Sequence, residues 1–460
     1  MWRSIISPSL LALVLQICLQ TYTQAAQPNI LVIVSDDHGY ADVGFQGCKD
    51  IPTPNLDQLA KEGVHCTNGY VSHPFCSPTR AGLMTGRYQH RFGHENNPFY
   101  DPNDHAEGLP MSETLLPAHL AKAGYQTGWI GKWHLGAAPE FRPENRGFSE
   151  TFGFIGGGHK FLNWTVNNKI EYSVPIERNG KPETVTEHLT TAFGREAASF
   201  VTKHKSQPWF LYLAFNAPHT PHEPTPERLE RFASIENPVR RKYAAQVSLM
   251  DDAIGEALSA LKATGQDTNT LVFFFSDNGG PISVNGSQNN PLRGAKGDVF
   301  EGGMRVPFVV KWPAKLKSSG VYDQPVSSLD VFATALAVAG QPMPTDKVYD
   351  SVNLIPYFTG ENAGSPHENL FWRTTRQLWA VRSGDWKLVR GVGQSDQIFN
   401  LKSDIGEERN LMANQPQESE ALAKELEKWD KALMKPAFPG LSGRQPAKKA
   451  APKAKPKAKK

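Results

Sequence analysis

The stretch NILVIVSDD, residues 29–37, decides the fold. Its first seven residues form a nearly continuous apolar run, which is typical of a strand buried on both faces of a parallel sheet. Similar runs predict four further buried strands, at 127–131, 209–215, 271–276 and 306–312. Helical patterns separate them, at 55–62, 115–123, 190–204, 241–263 and 329–339. The sequence therefore predicts an α/β fold with a large mixed, mostly parallel sheet flanked by helices on both faces.

The composition changes along the chain and divides it into four segments. Two strand patterns flank the turn Ser383-Gly384-Asp385, which indicates a hairpin, and a helical pattern follows at 415–433. We predict a signal peptide at 1–26, the main α/β domain at 27–364, a small antiparallel sheet with one packing helix at 365–436, and a disordered Lys/Ala/Pro tail at 437–460.

The first segment predicts export to the periplasm or the extracellular space. Arg3 precedes a short apolar stretch, and Ala25-Ala26 offers a cleavage site. The stretch is too short for a stable membrane span.

The net charge of +3 is unevenly distributed. The last twenty residues hold eight Lys or Arg and no acid, so the rest of the chain carries −5. A solvated tail and a tail that binds polyanions both fit this pattern. No nucleic-acid partner is expected for the mildly acidic body.

The chain has four cysteines, Cys18, Cys48, Cys66 and Cys76. If Cys18 leaves with the signal peptide, the odd number that remains suggests one cysteine with a special role. Cys48 and Cys66 either pair in an oxidising compartment or stay free.

Acidic pairs follow two of the buried strands. Asp36 and Asp37 come after the first, and Asp277 and Asn278 after the run at 271–276. Ligands collect at the carboxyl ends of such strands, and an all-oxygen set suits Ca²⁺ or Mg²⁺ rather than zinc. Either pair alone would be equally well explained as a helix cap.

Cationic and titratable residues follow other strands. Lys132 and His134 end one run, His219 follows the next, and Lys296 lies in a later loop. Each alone is more simply explained as structural or solvated. Together they would surround a metal with the lining that a tetrahedral sulfate or phosphate needs.

Cys76 opens a predicted helix, because Pro78 is favoured in the first helical turn. Backbone N–H groups at that position favour an anion. A buried small hydrophobic residue and a thiolate nucleophile with a histidine partner are the alternatives.

These motifs resemble the formylglycine-dependent sulfatases, arylsulfatase-like members of the alkaline phosphatase superfamily. The two signature stretches are CSPTRAGLMTG at 76–86 and GYQTGWIGKWHLG at 124–136. Similar stretches follow at 291–296, 301–307 and 398–401, and the resemblance covers roughly residues 28–433.

The resemblance implies a sulfuric ester hydrolase whose Cys76 is converted to formylglycine by a formylglycine-generating or sulfatase-maturating enzyme that reads Cys76, Pro78 and Arg80. One hydroxyl of the hydrated aldehyde attacks sulfur and expels the alcohol, and collapse of the diol then releases sulfate.

The resemblance also assigns roles to individual residues. Arg80 holds the formylglycine, His134 assists the elimination, Asp277 accepts a proton from the attacking hydroxyl, and His219, with Lys296, protonates the leaving alcohol. Lys132, Lys296 and His219 bind the substrate. The implied Ca²⁺ ligands, with Mg²⁺ the less favoured ion, are Asp36, Asp37, Cys76, Asp277 and Asn278.

The substrate is implied only as a class, a sulfated carbohydrate or an aryl sulfate. Segments 90–98 and 154–160, the latter with His159, either contact a sugar or are ordinary surface loops. The alternative functions are a phosphodiesterase or phosphonate monoester hydrolase of the same superfamily, and a sulfated-glycan-binding protein without turnover.

Overall fold

The computed structural model describes residues 27–167, 171–393 and 395–440. The predicted signal peptide and residues 441–460 of the predicted tail lie outside the described residues. The strands, in chain order, are β1 Asn29–Ser35, β2 Val64–Cys66, β3 Gly69–Tyr70, β4 Gln126–Lys132, β5 Glu150–Phe154, β6 Glu177–Arg178, β7 Lys181–Pro182, β8 Trp209–Ala214, β9 Thr270–Ser276, β10 Phe308–Lys311, β11 Gly320–Tyr322, β12 Val326–Ser327, β13 Asn369–Thr374, β14 Leu378–Ser383, β15 Trp386–Arg390 and β16 Gln397–Asn400.

Helices connect most of these strands. The α-helices are α1 Pro54–Glu62, α2 Cys76–Thr85, α3 Leu116–Lys122, α4 Leu189–Lys203, α5 Pro226–Glu230, α6 Pro238–Ala263, α7 Ile282–Asn285, α8 Glu301–Met304, α9 Asp330–Val338, α10 Ile355–Phe358 and α11 Pro416–Lys431. Short 3₁₀ segments occur at Gly44–Gln46, Gln89–Phe92, Pro139–Phe141, Pro143–Asn145, Glu171–Ser173 and Asp267–Asn269. No helix within the described ranges is long and apolar enough to span a membrane.

The main sheet has ten strands in the order β11-β2-β10-β9-β1-β8-β4-β5-β6-β7. Strand β1 lies at its centre and pairs in parallel with β8 on one side and β9 on the other. Strand β10 runs antiparallel to β9. The predicted fold class, a large mixed and mostly parallel sheet with helices on both faces, is confirmed.

Strand β1 is buried on both faces because its side chains alternate between two apolar cores. Ile30, Val32 and Val34 belong to the core that also contains residues of α2, α3 and α9. Leu31 and Ile33 belong to the other, with residues of α1, α4 and α6. The apolar run is therefore continuous because both sheet faces are covered by helices.

The C-terminal segment forms a second, antiparallel sheet in the order β13-β14-β15-β16. The hairpin and the packing helix were predicted. Strand β13 was missed. One face of this sheet packs under α11, through Leu422, Leu426 and Trp429. The other face, with Trp372, joins the core of the main sheet.

The segment boundaries proposed from sequence stay predictions. Within the predicted tail, residues 437–440 are described and contact the main domain. The backbone N–H of Ala437 donates to Gly93 at 2.8 Å, and the amide of Asn96 donates to the carbonyl of Phe438 at 2.8 Å.

Cys48 and Cys66 are both free in the structure. The Cys48 thiol lies 3.2 Å from a carboxylate oxygen of Asp50, whereas Cys66 is buried at the end of β2. The structure thus favours free thiols over the pairing that the sequence left open.

A buried cluster of charges joins the two sheets. Lys387, on β15, places its Nζ 2.8 Å from carboxylate oxygens of both Glu301 and Glu407, and all three side chains are fully buried. Burial and the neighbouring Glu301 carboxylate raise the pKa of Glu407 to about 7, against the opposing effect of Lys387. Lys387 therefore contacts both carboxylates, and Arg305 Nη1 also lies 3.4 Å from Glu301.

Replacing Lys387 with Met should strongly destabilise the protein. Removing one partner of a buried ion pair leaves uncompensated charge, which costs about 3–5 kcal/mol. Chemical denaturation measures this loss, with the exposed Lys402→Met as control. The loss should be smaller at pH 5 than at pH 8, because the stranded carboxylates can take up protons at low pH. An unfolding free energy like that of the control at pH 8 would contradict the interpretation.

Candidate active site

The acidic residues after β1 and β9 lie close together at the carboxyl ends of these two central strands of the main sheet. The two strands pair in parallel with Ser35 opposite Ser276, so Asp36 and Asp277 leave the sheet side by side. The backbone N–H of Asp277 donates to the carbonyl of Ser35 at 2.9 Å. The register of the sheet thus sets the spacing of these carboxylates.

Four of the predicted metal ligands converge. One ligand atom each from Asp36, Asp37, Cys76 and Asp277 lies within 4.8 Å of the others, and all four residues are buried. Asn278 donates its Nδ2 to Asp37 at 2.7 Å, and its Oδ1 is buried without a hydrogen-bond partner in the described structure. A buried amide oxygen among carboxylates fits a hard cation such as Ca²⁺.

Three cations compensate the three carboxylates. Lys132 Nζ lies 2.6 Å from Asp36, and Lys296 Nζ lies 2.6 Å from Asp37. Arg80 donates to Asp277 through Nε at 3.0 Å and Nη2 at 2.8 Å.

These contacts set the protonation of the site. Burial, with the nearby Asp36 carboxylate, raises the pKa of Asp277 to about 6. Burial lowers the pKa of Lys132 and Asp36 raises it, with a net upward shift. The ammonium group of Lys132 is therefore retained in the closed interior.

Cys76 begins helix α2, as predicted, and Phe75 precedes the helix. Its thiol is 2% exposed. Lys296 Nζ lies 3.1 Å from the sulfur. Burial, together with Asp277, raises the pKa of the Cys76 thiol to about 12. An enclosed thiol whose pKa is raised by burial does not favour the alternative of a thiolate nucleophile.

His134 follows β4 and is held by its surroundings. It is a non-glycine residue with a positive φ of 60°. The hydroxyl of Ser77 donates to its carbonyl at 2.5 Å. A Cβ on Gly157 would lie 2.5 Å from its Nε2, so glycine leaves the ring its space. Strand β4 ends at Lys132, and His134 turns into the left-handed region two residues later.

The imidazole of His134 favours its neutral form and has no hydrogen-bond partner among the described residues. Both ring nitrogens are buried without a hydrogen-bond partner among the described residues. Burial, and then the charges of Lys132 and Arg80, hold its pKa well below the ordinary value. Both nitrogens are therefore available for a hydrogen bond with a group placed beside the ring.

His219 lies in the loop after β8. Its Nδ1 contacts the carbonyl of Thr220 at 2.6 Å. Its Nε2 lies 3.5 Å from Asp37, and its side chain is 12% exposed. The backbone contact thus fixes the ring with Nε2 towards the carboxylates, on the more open side of the site.

His159 is placed differently from expectation. Its Nδ1 lies 2.6 Å from the carbonyl of Lys160 and its Nε2 lies 2.9 Å from that of Val174. Since both nitrogens are engaged with backbone and the residue is 1% exposed, this geometry does not support the predicted substrate contact.

The two candidate sugar-contacting segments also differ. Gly157, in the segment 154–160, borders His134. In the segment 90–98, His90, His94 and Glu95 are buried, and the Ser77 hydroxyl lies 2.7 Å from Nε2 of His94. Segment 90–98 is therefore largely buried and packs against the first turn of α2.

Sequence reasoning missed two tyrosines. Arg80 Nη1 donates to the hydroxyl of Tyr212 at 3.3 Å. The signal for Tyr212 was a phenol in a strand buried on both faces, where its hydroxyl needs a partner. Tyr172 lies with its ring centroid 6.2 Å from that of His219. No strand or motif marked Tyr172 in the sequence.

Comparisons with known proteins agree along the chain. The Sulfatase family model matches residues 28–341, and the model "N-sulphoglucosamine sulphohydrolase, C-terminal" matches residues 295–434. The mouse N-acetylgalactosamine-6-sulfatase is 36% identical over 388 residues, covering 78% of this chain and 71% of that protein. The arylsulfatase of Hemicentrotus pulcherrimus is 31% identical over 409 residues, covering 83% and 70%.

One solved structure is similar over most of its length. The crystal structure of Ps i-CgsB in complex with k-i-k-neocarrahexaose has a TM-score of 0.86 and 38% sequence identity, and the match covers 90% of this chain and 94% of that one.

Calcium should stabilise the protein through the oxygen cluster. A ligand at about one hundred times its Kd adds roughly 2.7 kcal/mol to the unfolding free energy. Millimolar Ca²⁺ should therefore raise the unfolding temperature, and Asn278→Ala should remove most of that rise, while the exposed Asn103→Ala should keep it. An equal rise in Asn278→Ala and wild type, or none in the wild type, would contradict the ligand assignment.

Proposed function

The chain belongs to the sulfatase family and is a sulfuric ester hydrolase, and on that premise we propose that it is an exported enzyme that removes sulfate from a sulfated carbohydrate by way of a formylglycine formed from Cys76. The observation that carries the proposal is the convergence of Cys76, at the start of α2, with three carboxylates and two lysines. The carbohydrate in the Ps i-CgsB structure supports the substrate class.

The oxygen cluster fits a divalent cation in charge as well as in ligand type. Asp36, Asp37, Asp277 and Asn278 would hold Ca²⁺, which supplies positive charge for the ester oxygens when bound. Three carboxylates and three basic side chains balance one another without it. A divalent cation would therefore leave the site positively charged, as an anionic ester requires.

Lys132 and Lys296 are the proposed sulfate-binding residues. Their ammonium groups contact the same carboxylates that would hold the cation. A bound cation competes for those oxygens and so leaves the lysine N–H groups available to the ester. Both lysines flank Cys76, with Lys296 in direct contact with its sulfur.

Formylglycine at position 76 would supply, as its hydrate, the hydroxyl that attacks sulfur. Arg80 fixes the carboxylate of Asp277 by two hydrogen bonds, and Asp277 is the proposed acceptor for the proton of that hydroxyl. His134 has two ring nitrogens without a partner among the described residues and is the proposed acceptor for the proton of the second hydroxyl. Nε2 of His219 is the proposed donor to the leaving alcohol.

Export and maturation are part of the proposal. The signal-like pattern of residues 1–26 supports export. The stretch CSPTR at 76–80 supports conversion of Cys76 by a formylglycine-forming enzyme, since it matches the pattern that such enzymes read.

The function is tested by sulfate release from defined sulfated saccharides, compared with hydrolysis of phosphodiesters and phosphonate monoesters. Sulfate release should dominate. Cys76→Ala should abolish it because the nucleophile is lost, whereas Cys48→Ala, at the partly exposed thiol beside Asp50, should retain it. Dominant phosphodiester turnover would favour the superfamily alternative, and saccharide binding without turnover would favour the binding protein.

His219→Gln should separate substrates by their leaving groups. A sugar alcohol leaves poorly without a proton, whereas a nitrophenolate leaves readily, so general-acid loss should lower saccharide desulfation by about 100- to 10,000-fold and nitrophenyl sulfate hydrolysis far less. Steady-state kcat/KM on both substrates measures the effect. His222→Gln, in the same loop, is the control. Equal losses on the two substrates would contradict proton donation by His219.

A further inference from the structure

The turn between β13 and β14 brings the C-terminal sheet to the catalytic residues. Thr375, Arg376 and Gln377 form this turn and are exposed. Gln377 has a positive φ of 61°, and the Thr375 hydroxyl donates to Oδ1 of Asn96 in the main domain at 3.0 Å. The turn is thus anchored to the domain that carries the active site.

Arg376 lies where two catalytic segments meet. Its guanidinium carbon is 5.2 Å from the ring centroid of Phe75, which directly precedes Cys76. A Cβ on Gly297, which directly follows Lys296, would lie 2.9 Å from the Phe75 ring and 3.2 Å from Nη1 of Arg376. The N–H of Gly297 donates to the carbonyl of Pro74 at 2.9 Å, which holds the two segments together.

The charge of Arg376 is not compensated within the described part of the chain. No carboxylate there lies within ion-pair distance of its guanidinium. Its neighbour Arg373, in contrast, pairs with both Glu95 and Asp430. Stacking on Phe75 occupies one face of the guanidinium and leaves the N–H groups at its edge free to bind a planar or tetrahedral anion.

The ester that is cleaved already has Lys132 and Lys296, so a further exposed cation beside these residues suits a different anionic group. We propose that Arg376 binds a second sulfate or a carboxylate of the substrate, which makes this enzyme selective for saccharides with more than one anionic group. The inference rests on the proposed function and adds the substrate class to it.

Binding to the Cys76→Ala protein tests the proposal without consuming the ligand. The probes are N-acetylgalactosamine 6-sulfate, the same sugar with a second sulfate, and the disaccharide in which a uronate is attached to it. Calorimetry should show that at least one doubly anionic probe binds more tightly than the singly sulfated sugar. Which of the two binds more tightly tells whether the second anion lies on the same ring or on the next one.

Arg376→Gln should lower the ratio of doubly to singly anionic affinity by about tenfold, the value of one charge-assisted hydrogen bond. Arg376→Lys should retain part of the ratio, and the exposed Lys428→Gln all of it. An unchanged ratio of doubly to singly anionic affinity in Arg376→Gln would overturn the proposal. So would the lack of any preference for doubly anionic probes in the Cys76→Ala protein that retains Arg376.

Sulfate release by the wild-type enzyme, which retains Cys76, distinguishes failure of the proposed hydrolysis from failure of the proposed role of Arg376. If that enzyme releases no sulfate but Arg376→Gln lowers the affinity ratio, the anion site stands and the proposed hydrolysis fails. If the enzyme releases sulfate and the ratio does not change, hydrolysis stands and the role of Arg376 fails.

Discussion

The structure depends on the balance of three buried carboxylates against three buried or nearly buried cations at the carboxyl end of the central strands. Asp36 pairs with Lys132, Asp37 with Lys296, and Asp277 with Arg80. Each pair joins one of the acidic loops to a different element of the chain. Because an unpaired charge in such an interior is costly, the three contacts fix the loops after β1 and β9 relative to the end of β4, the loop that carries Lys296, and helix α2.

The same balance would allow one site to hold both a cation and an anion. Each lysine contacts a carboxylate that is also a proposed cation ligand, so a bound cation would free the lysine to contact an ester. His134 borders these charges and has two ring nitrogens without a partner among the described residues. His219 is held by its backbone contact, with Nε2 facing the Asp37 carboxylate. The proposed proton-transfer groups would therefore need no large movement to reach an ester bound by the lysines.

Much of this site could be predicted from local sequence. The apolar run at 29–35 has the pattern of a strand buried on both sides, and the register of parallel strands then brings Asp36 next to Asp277. Helix α2 begins at Cys76 as the position of Pro78 indicated. These features depend on periodicity and on rules for strand ends, which a single segment contains.

Other features depend on contacts between distant segments, which no single segment contains. The ring of His134 requires the space that Gly157 leaves, and Nε2 of His159 is engaged by the carbonyl of Val174, 15 residues further along the chain. Lys387 was an ordinary strand residue in the sequence, yet it compensates two carboxylates of other segments. Arg376 belongs to the turn between β13 and β14. It reaches Phe75 only when the C-terminal sheet packs against the main domain.

The central claim is that Cys76 is the precursor of the nucleophile. Mass spectrometry of the peptide that contains residue 76, in preparations matured to different extents, tests it directly when compared with the rate of sulfate release by each preparation. We expect the rate to be proportional to the fraction in which the CH₂SH group has become an aldehyde, and to be zero at zero conversion. Full activity in a preparation that contains only the Cys76 thiol would contradict it.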